Sequence, residues 1–192
     1  CAKGLSAEIH KNPQRFSIQM LPNVGREAHT YLTHIINHYD SFSPRTVFTM
    51  GSLNISWVRE LSLRYAIAGG LVFPSRPCTD KALDKIYNYR INIKHALSMG
   101  DGYDVYVRRP IVPVKIRPLG KWLAYHTGID LQQRCYQRNE AMHGAIFSVD
   151  KSALQRIKKS QYASLLAENT VGDSLEAGYY MEVVWTFILE QH

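Results

Sequence analysis

FSIQMLPNVGREAHTYLTHIINHYDSFSPRTVFTMG, residues 16–51, decides how the rest of the chain is read. FSIQML (16–21) reads as a strand with Pro22-Asn23 as its exit. Ala28, Tyr31, Leu32, Ile35, Ile36 and Tyr39 then recur at i, i+3, i+4, i+7, i+8 and i+11, the pattern of an amphipathic helix. SFSPR is a loop, and TVFTMG (46–51) is a short buried strand that ends at Gly51. Strand, helix and strand in that order point to an α/β unit.

The remainder extends the alternation. Ser56 is placed to cap a helix through about Ala68, which Gly69-Gly70 terminates. LVF (71–73) reads as a strand. Thr79 caps a long helix with a stripe of Leu83, Ile86, Tyr87, Ile93 and Leu97 that ends at Gly100. From Asp101 to Pro118 the chain is extended, because Pro110, Pro113 and Pro118 exclude helix. PLGKWLAYHTG forms a short helix stopped by Gly128. GAIFSV (144–149) is a strand, and Asp150 caps a helix beginning at Lys151. A last helix spans about Glu176 to Glu190, with Tyr180, Val183, Val184, Phe187 and Ile188 as its apolar face. The expectation is one α/β domain over residues 1–192, three-layered, with a mostly parallel central sheet flanked by helices.

A chain of 192 residues with 45% hydrophobic and 20% charged content suits one globular domain with a sizeable core. No window of 18 consecutive apolar residues exists, so no membrane span is expected. The opening CAKGLSAEIHKN is polar and is no signal peptide. It also lacks an initiating Met. The expected compartment is cytoplasmic if the chain is complete, and the secretory-pathway lumen if an N-terminal anchor has been removed. A net charge of +7 favours an anionic partner. The basic residues are dispersed and not interleaved with aromatics, so a phosphate-bearing small molecule is favoured over nucleic acid. Cys1, Cys78 and Cys135 are too few and too scattered for a disulfide framework or a zinc ribbon.

Ligands of parallel α/β sheets gather at the C-terminal ends of strands. That rule selects Pro22 to Glu27, Gly51 to Asn54 and the Asp150 end of GAIFSV. The first carries chemistry. A helix N-terminus attracts anions, and Arg26 adds a planar fork suited to phosphate or carboxylate. It does so where the helix dipole disfavours a cation, so helix stability does not account for it. Asn23, Gly25, Arg26 and His29 are the expected ligand-binding residues, with Glu27 orienting Arg26 or engaging sugar hydroxyls. His34 and His38 share a face, but the HExxH pattern is absent and Glu27 is a poor third ligand, so they read as boundary histidines. Asp101 and Asp104 place two carboxylates in one turn, as sites for Mn²⁺ or Mg²⁺ do, although Gly and Asp are equally ordinary turn residues. Glu182 lies among aromatics in YYMEVVW, where burial raises a carboxyl toward general-base use. The alternative is a solvent-facing Glu with Trp185 anchoring the helix. Phosphate-binding glycine loops and a G-x-S-x-G elbow are missing, which removes kinase, dehydrogenase and serine-hydrolase readings.

PNVGREAHTYLTHIINHYD followed by TVFTMG resembles an uncharacterised domain family frequent in fungi and algae, with an N-x-G-R-E-x-H-T-Y-L signature. Cys1-Ala2-Lys3-Gly4, Gly120-Lys121-Trp122, GAIFSV and EAGYYMEVVW resemble that family's other segments. Met50, Tyr179 and Val183 depart from it. The resemblance implies that the first strand of the sheet lies mostly upstream of Cys1. The N-x-G-R-acidic turn is in addition distantly similar to one in glycosyltransferases of the GT-A type. By that analogy Asn23, Arg26 and Glu27 sit beside a nucleotide-sugar donor. The expected function is transfer of a sugar from that donor to a glycan or small-molecule hydroxyl acceptor, with Glu182 as base. The alternative is a non-catalytic domain that binds carbohydrate or an anionic ligand in the same cleft.

Overall fold

Six helices and four short strands make up the residues that the computed structural model describes, namely 17–51, 57–68, 87–88, 96–99, 106–109, 112–132, 146–172 and 176–189. In chain order they are α1 (Arg26–Asn37), β1 (Arg45–Phe48), α2 (Trp57–Ile67), β2 (Ala96–Met99), β3 (Tyr106–Arg109), α3 (Leu119–Thr127), β4 (Phe147–Asp150), α4 (Lys151–Leu154), α5 (Lys159–Ala167) and α6 (Glu176–Leu189).

Helix α6 is the centre of the core. Of its 14 residues all but Tyr179 and Glu182 are buried, as expected of a helix that is apolar nearly all round. The stripe of α1 packs against it, with the Tyr31 ring 6.2 Å from that of Trp185. Phe48 of β1 and Phe147 of β4 complete the cluster, the former 5.0 Å from Tyr31 and the latter 5.5 Å from Trp185. Helix α3 closes another side through Trp122, 5.4 Å from Tyr180 in an edge-to-face contact. Burying one such side chain contributes roughly 1.5–3 kcal/mol. Gly128 ends α3 in the left-handed conformation at φ 73°, as the sequence suggests.

The sheet differs from the expected one. β1 pairs with β4 antiparallel, Arg45 opposite Asp150 and Phe48 opposite Phe147. β2 pairs with β3 antiparallel, Ala96 opposite Arg109 and Met99 opposite Tyr106. Among the described residues both sheets are two-stranded. The three-layer, mostly parallel, GT-A-like α/β sheet is therefore overturned in favour of a helix-rich fold. A short apolar run such as TVF or IFSV signals burial without signalling strand direction.

Local corrections share this origin. Residues 17–22 form neither helix nor strand; Ile18 and Met20, which would share one strand face, are 68% and 89% exposed. Ala96–Met99, expected at the end of a helix, is a strand, so antiparallel pairing overrides the helix propensity of Ala, Leu and Met. Asp150 precedes α4 without a side-chain cap. Its carboxylate instead accepts from Arg45 Nε at 2.9 Å, directly across the ladder. The expected strand 71–73, most of the expected helix from Thr79, the three cysteines and Asp101 with Asp104 lie outside the described residues. No described helix is long and apolar enough to cross a membrane.

Candidate active site

The turn into α1 is unusual. Gly25 precedes the helix at φ 61°, and Arg26 follows it at φ 54°. Left-handed backbone suits glycine but costs a side-chain-bearing residue roughly 1–2 kcal/mol. Gly25 is required twice over: a Cβ there would stand 2.0 Å from the Asn169 carbonyl oxygen. Its N–H donates to Gly172 O at 2.6 Å. The loop after α5 thus seats the turn, and Arg26 is held in a conformation that points to function.

Arg26 reaches across to α6 at Tyr179 and Glu182, the two residues of that helix that are only partly buried. Its guanidinium carbon lies 5.2 Å from the centre of the Tyr179 ring, and Nη1 lies 3.4 Å from Glu182 Oε1. Nε is 4.0 Å from Glu27 Oε2. These are ion-pair separations, longer than the charge-assisted bonds of about 2.7–2.9 Å that guanidinium and carboxylate form. The same protein supplies the contrast. Arg117 donates from Nη2 at 2.8 Å and from Nε at 3.1 Å to one oxygen of Glu176, a residue without solvent exposure. The other Glu176 oxygen accepts from Val114 N–H at 3.1 Å. That pair locks the start of α6, whereas the Arg26 side chain keeps 35% of its surface and a fork its carboxylates do not consume.

Electrostatics set Glu182 apart. Burial pushes its carboxyl up to about 7; the charge of Glu27 and a hydrogen bond with Glu27 act the same way, while Arg26 and Arg59 pull back. A like charge nearby disfavours the ionised carboxylate, so Glu27 adds to what burial does. The side chain still keeps 27% exposure, so the proton is within reach of a ligand. The arrangement can bind an anion at Arg26 and move a proton at Glu182.

The structure therefore brings Arg26, Glu27 and Glu182 together, with Gly25 as their hinge point. Asn23 is exposed at the outer edge of the turn. His29 is 6% exposed, one turn into α1, and its Nδ1 has no hydrogen-bond partner among the described residues. Trp185 is wholly buried, so it anchors α6 while Glu182 faces the site. His34 and His38 lie against each other, ring centres 4.5 Å apart, with His34 edge-on to Phe48. Among the described residues no group of three His, Cys, Asp or Glu could hold a metal ion. The sequence reading missed Arg59, Tyr179 and Asn169. Arg59 had a signal, since it stands in the first turn of α2 as Arg26 does in α1, where the dipole disfavours a cation.

Comparison with known proteins adds one finding. Residues 8–71 match a protein family described as "Protein of unknown function (DUF3431)". The matched segment carries Gly25, Arg26, Glu27 and Arg59, and stops far short of Glu182. It supports the resemblance to an uncharacterised domain family over that part of the chain. No curated protein and no solved structure matches the chain.

Proposed function

We propose that the Arg26, Glu27 and Glu182 cluster is the acid–base centre of an enzyme that transfers a sugar from a nucleotide-sugar donor to a hydroxyl acceptor on a glycan or small molecule. The observation that carries this reading is Glu182: a carboxyl near neutrality, on the face of α6 that is not fully buried, beside an arginine with donors to spare. A general base works best when its pKa lies near the working pH. In the proposed reaction Glu182, in its ionised form, takes the proton of the acceptor hydroxyl as that oxygen bonds to the sugar carbon. The bond from that carbon to the donor phosphate breaks, and Arg26 stabilises the charge left on the phosphate. Burial holds the proton affinity of Glu182 up, Glu27 adds to it, and Glu27 also orients Arg26. The chemistry depends on this site and not on a GT-A sheet. Asp101 and Asp104 stay the proposed ligands of Mn²⁺ or Mg²⁺.

The test is a thermal-shift screen of nucleotide sugars with and without Mn²⁺, followed by a turnover assay on whichever donor stabilises the protein. A specific ligand raises the melting temperature by mass action. Stabilisation by a donor with transfer to a hydroxyl acceptor supports the proposal. Stabilisation without turnover makes the chain a binding domain for carbohydrate or anionic ligands. Stabilisation by no nucleotide sugar overturns the assignment.

A further inference from the structure

The left-handed Arg26 needs a cause outside its own residue, because the isolated chain avoids that conformation. The cause lies in the segment after α5. Asn169 is wholly buried. Its backbone N–H donates to Leu166 O at 2.8 Å, and its side-chain Nδ2 donates to Leu165 O at 2.9 Å. Both bonds serve carbonyls of the last turn of α5, which an α-helix leaves without intrahelical partners. They fix the Asn169 carbonyl, whose oxygen fills the space that a side chain on Gly25 would take. Three residues on, Gly172 O accepts the Gly25 N–H. Gly25 is thus gripped on its side-chain side and at its nitrogen, and its neighbour has little freedom left.

Two further distances place Arg26 and Asn169 at the same point of α6. The Cδ of Arg26 and the Oδ1 of Asn169 lie 4.0 and 3.9 Å from where a Cβ on Gly178 would stand. The arginine stem and the Asn169 amide therefore both come up to α6 at its glycine, one turn before Glu182. Oδ1 of Asn169 has no hydrogen-bond partner among the described residues. A buried acceptor left without a donor destabilises a fold, so stability alone is a poor reason for an amide here.

We propose that Asn169 is a positioning residue for Arg26: by capping α5 it holds the carbonyl that seats Gly25, and this directs the Arg26 guanidinium over Glu182. The inference rests on Arg26 being the ligand-contacting group proposed above.

The test is a double-mutant cycle read on the Glu182 carboxyl, followed by NMR titration of the full chain labelled at glutamate, with Glu182→Gln to assign the signal. Arg26→Gln removes a cation beside Glu182 and raises its midpoint by about one pH unit. Asn169→Ala displaces that cation and shifts the midpoint in the same direction, and adds nothing further in the Arg26→Gln background. A midpoint unmoved by Asn169→Ala overturns the proposal, and so does an equal shift with Arg26 absent. Should Asn169→Ala not fold, Asn169→Leu keeps the volume without the cap and is read the same way. The readout needs no turnover, so failure of the glycosyl-transfer proposal and failure of this one are told apart.

Discussion

Arg26 Nη1 stands 3.4 Å from Glu182 Oε1, while Arg117 Nη2 stands 2.8 Å from Glu176 Oε1. The two pairs hold the same helix at positions six residues apart in the chain, and they differ in purpose. Glu176 is wholly buried with its oxygens saturated, which suits a lock. Glu182 is partly exposed, its carboxyl is pushed up by burial, and its arginine is loosely paired, which suits chemistry.

Replacing Arg26 tests the strained turn. Arg26→Gly removes the left-handed penalty and should raise the unfolding free energy by about 1 kcal/mol, measured by urea denaturation, while abolishing anion binding. Arg26→Lys should leave the melting temperature nearly unchanged and still weaken a phosphate ligand, because the planar fork is lost. A less stable glycine variant would contradict the strain argument.

Stability should respond to pH through Glu182. Its folded-state value, about 7, lies above the ordinary 4.5, so between those values the folded state binds more protons than the unfolded one. Stability contributed by this group is full below about pH 4.5 and is lost as pH rises toward 7. Glu182→Gln removes the dependence. Its advantage over the wild type should grow between pH 5 and 8, to the order of 2–3 kcal/mol, and level off above. Urea titrations at pH 5 and pH 8 read it directly. A constant difference would mean that the carboxyl titrates normally.

Catalysis makes a separate demand on the same substitution. If Glu182 is the base, Glu182→Gln should bind donor as the wild type does and turn over at least ~10-fold more slowly. Undiminished turnover with normal binding would take the proton-transfer role away from Glu182.

Arg117→Met addresses the lock. It leaves the Glu176 charge buried without its cation, which should cost about 3–5 kcal/mol. Calorimetric unfolding would show it as a large fall in melting temperature. A small fall would show that the Val114 N–H suffices to hold Glu176 at the head of α6.

How much of this was legible beforehand depended on distance along the chain. The α1 stripe from Ala28 to Ile35 and the α6 face from Tyr180 to Ile188 are local periodicities, and both are buried as expected. Arg26 and Glu27 drew notice because a cation is out of place at a helix start, and Glu182 because aromatics surround it. Their meeting is tertiary and was only supposed. Strand direction was misread because Phe48 and Phe147 advertise burial and nothing more. Asn169 gave no signal, since the group that matters there is its backbone carbonyl.

The pairing of β1 with β4 joins Arg45 to Asp150 across a sequence separation of 105 residues. Contacts of such range carry a loop-closure entropy that slows folding. The site depends on contacts of the same range. Gly25, Arg26 and Glu27 leave the ribosome first, and the residues that seat and oppose them, Asn169, Gly172, Tyr179 and Glu182, emerge more than a hundred residues later. A nascent chain that ends anywhere before α6 therefore carries the arginine without its carboxylate. A closed Arg26–Glu182 pair is then a report that the last long-range contacts have formed.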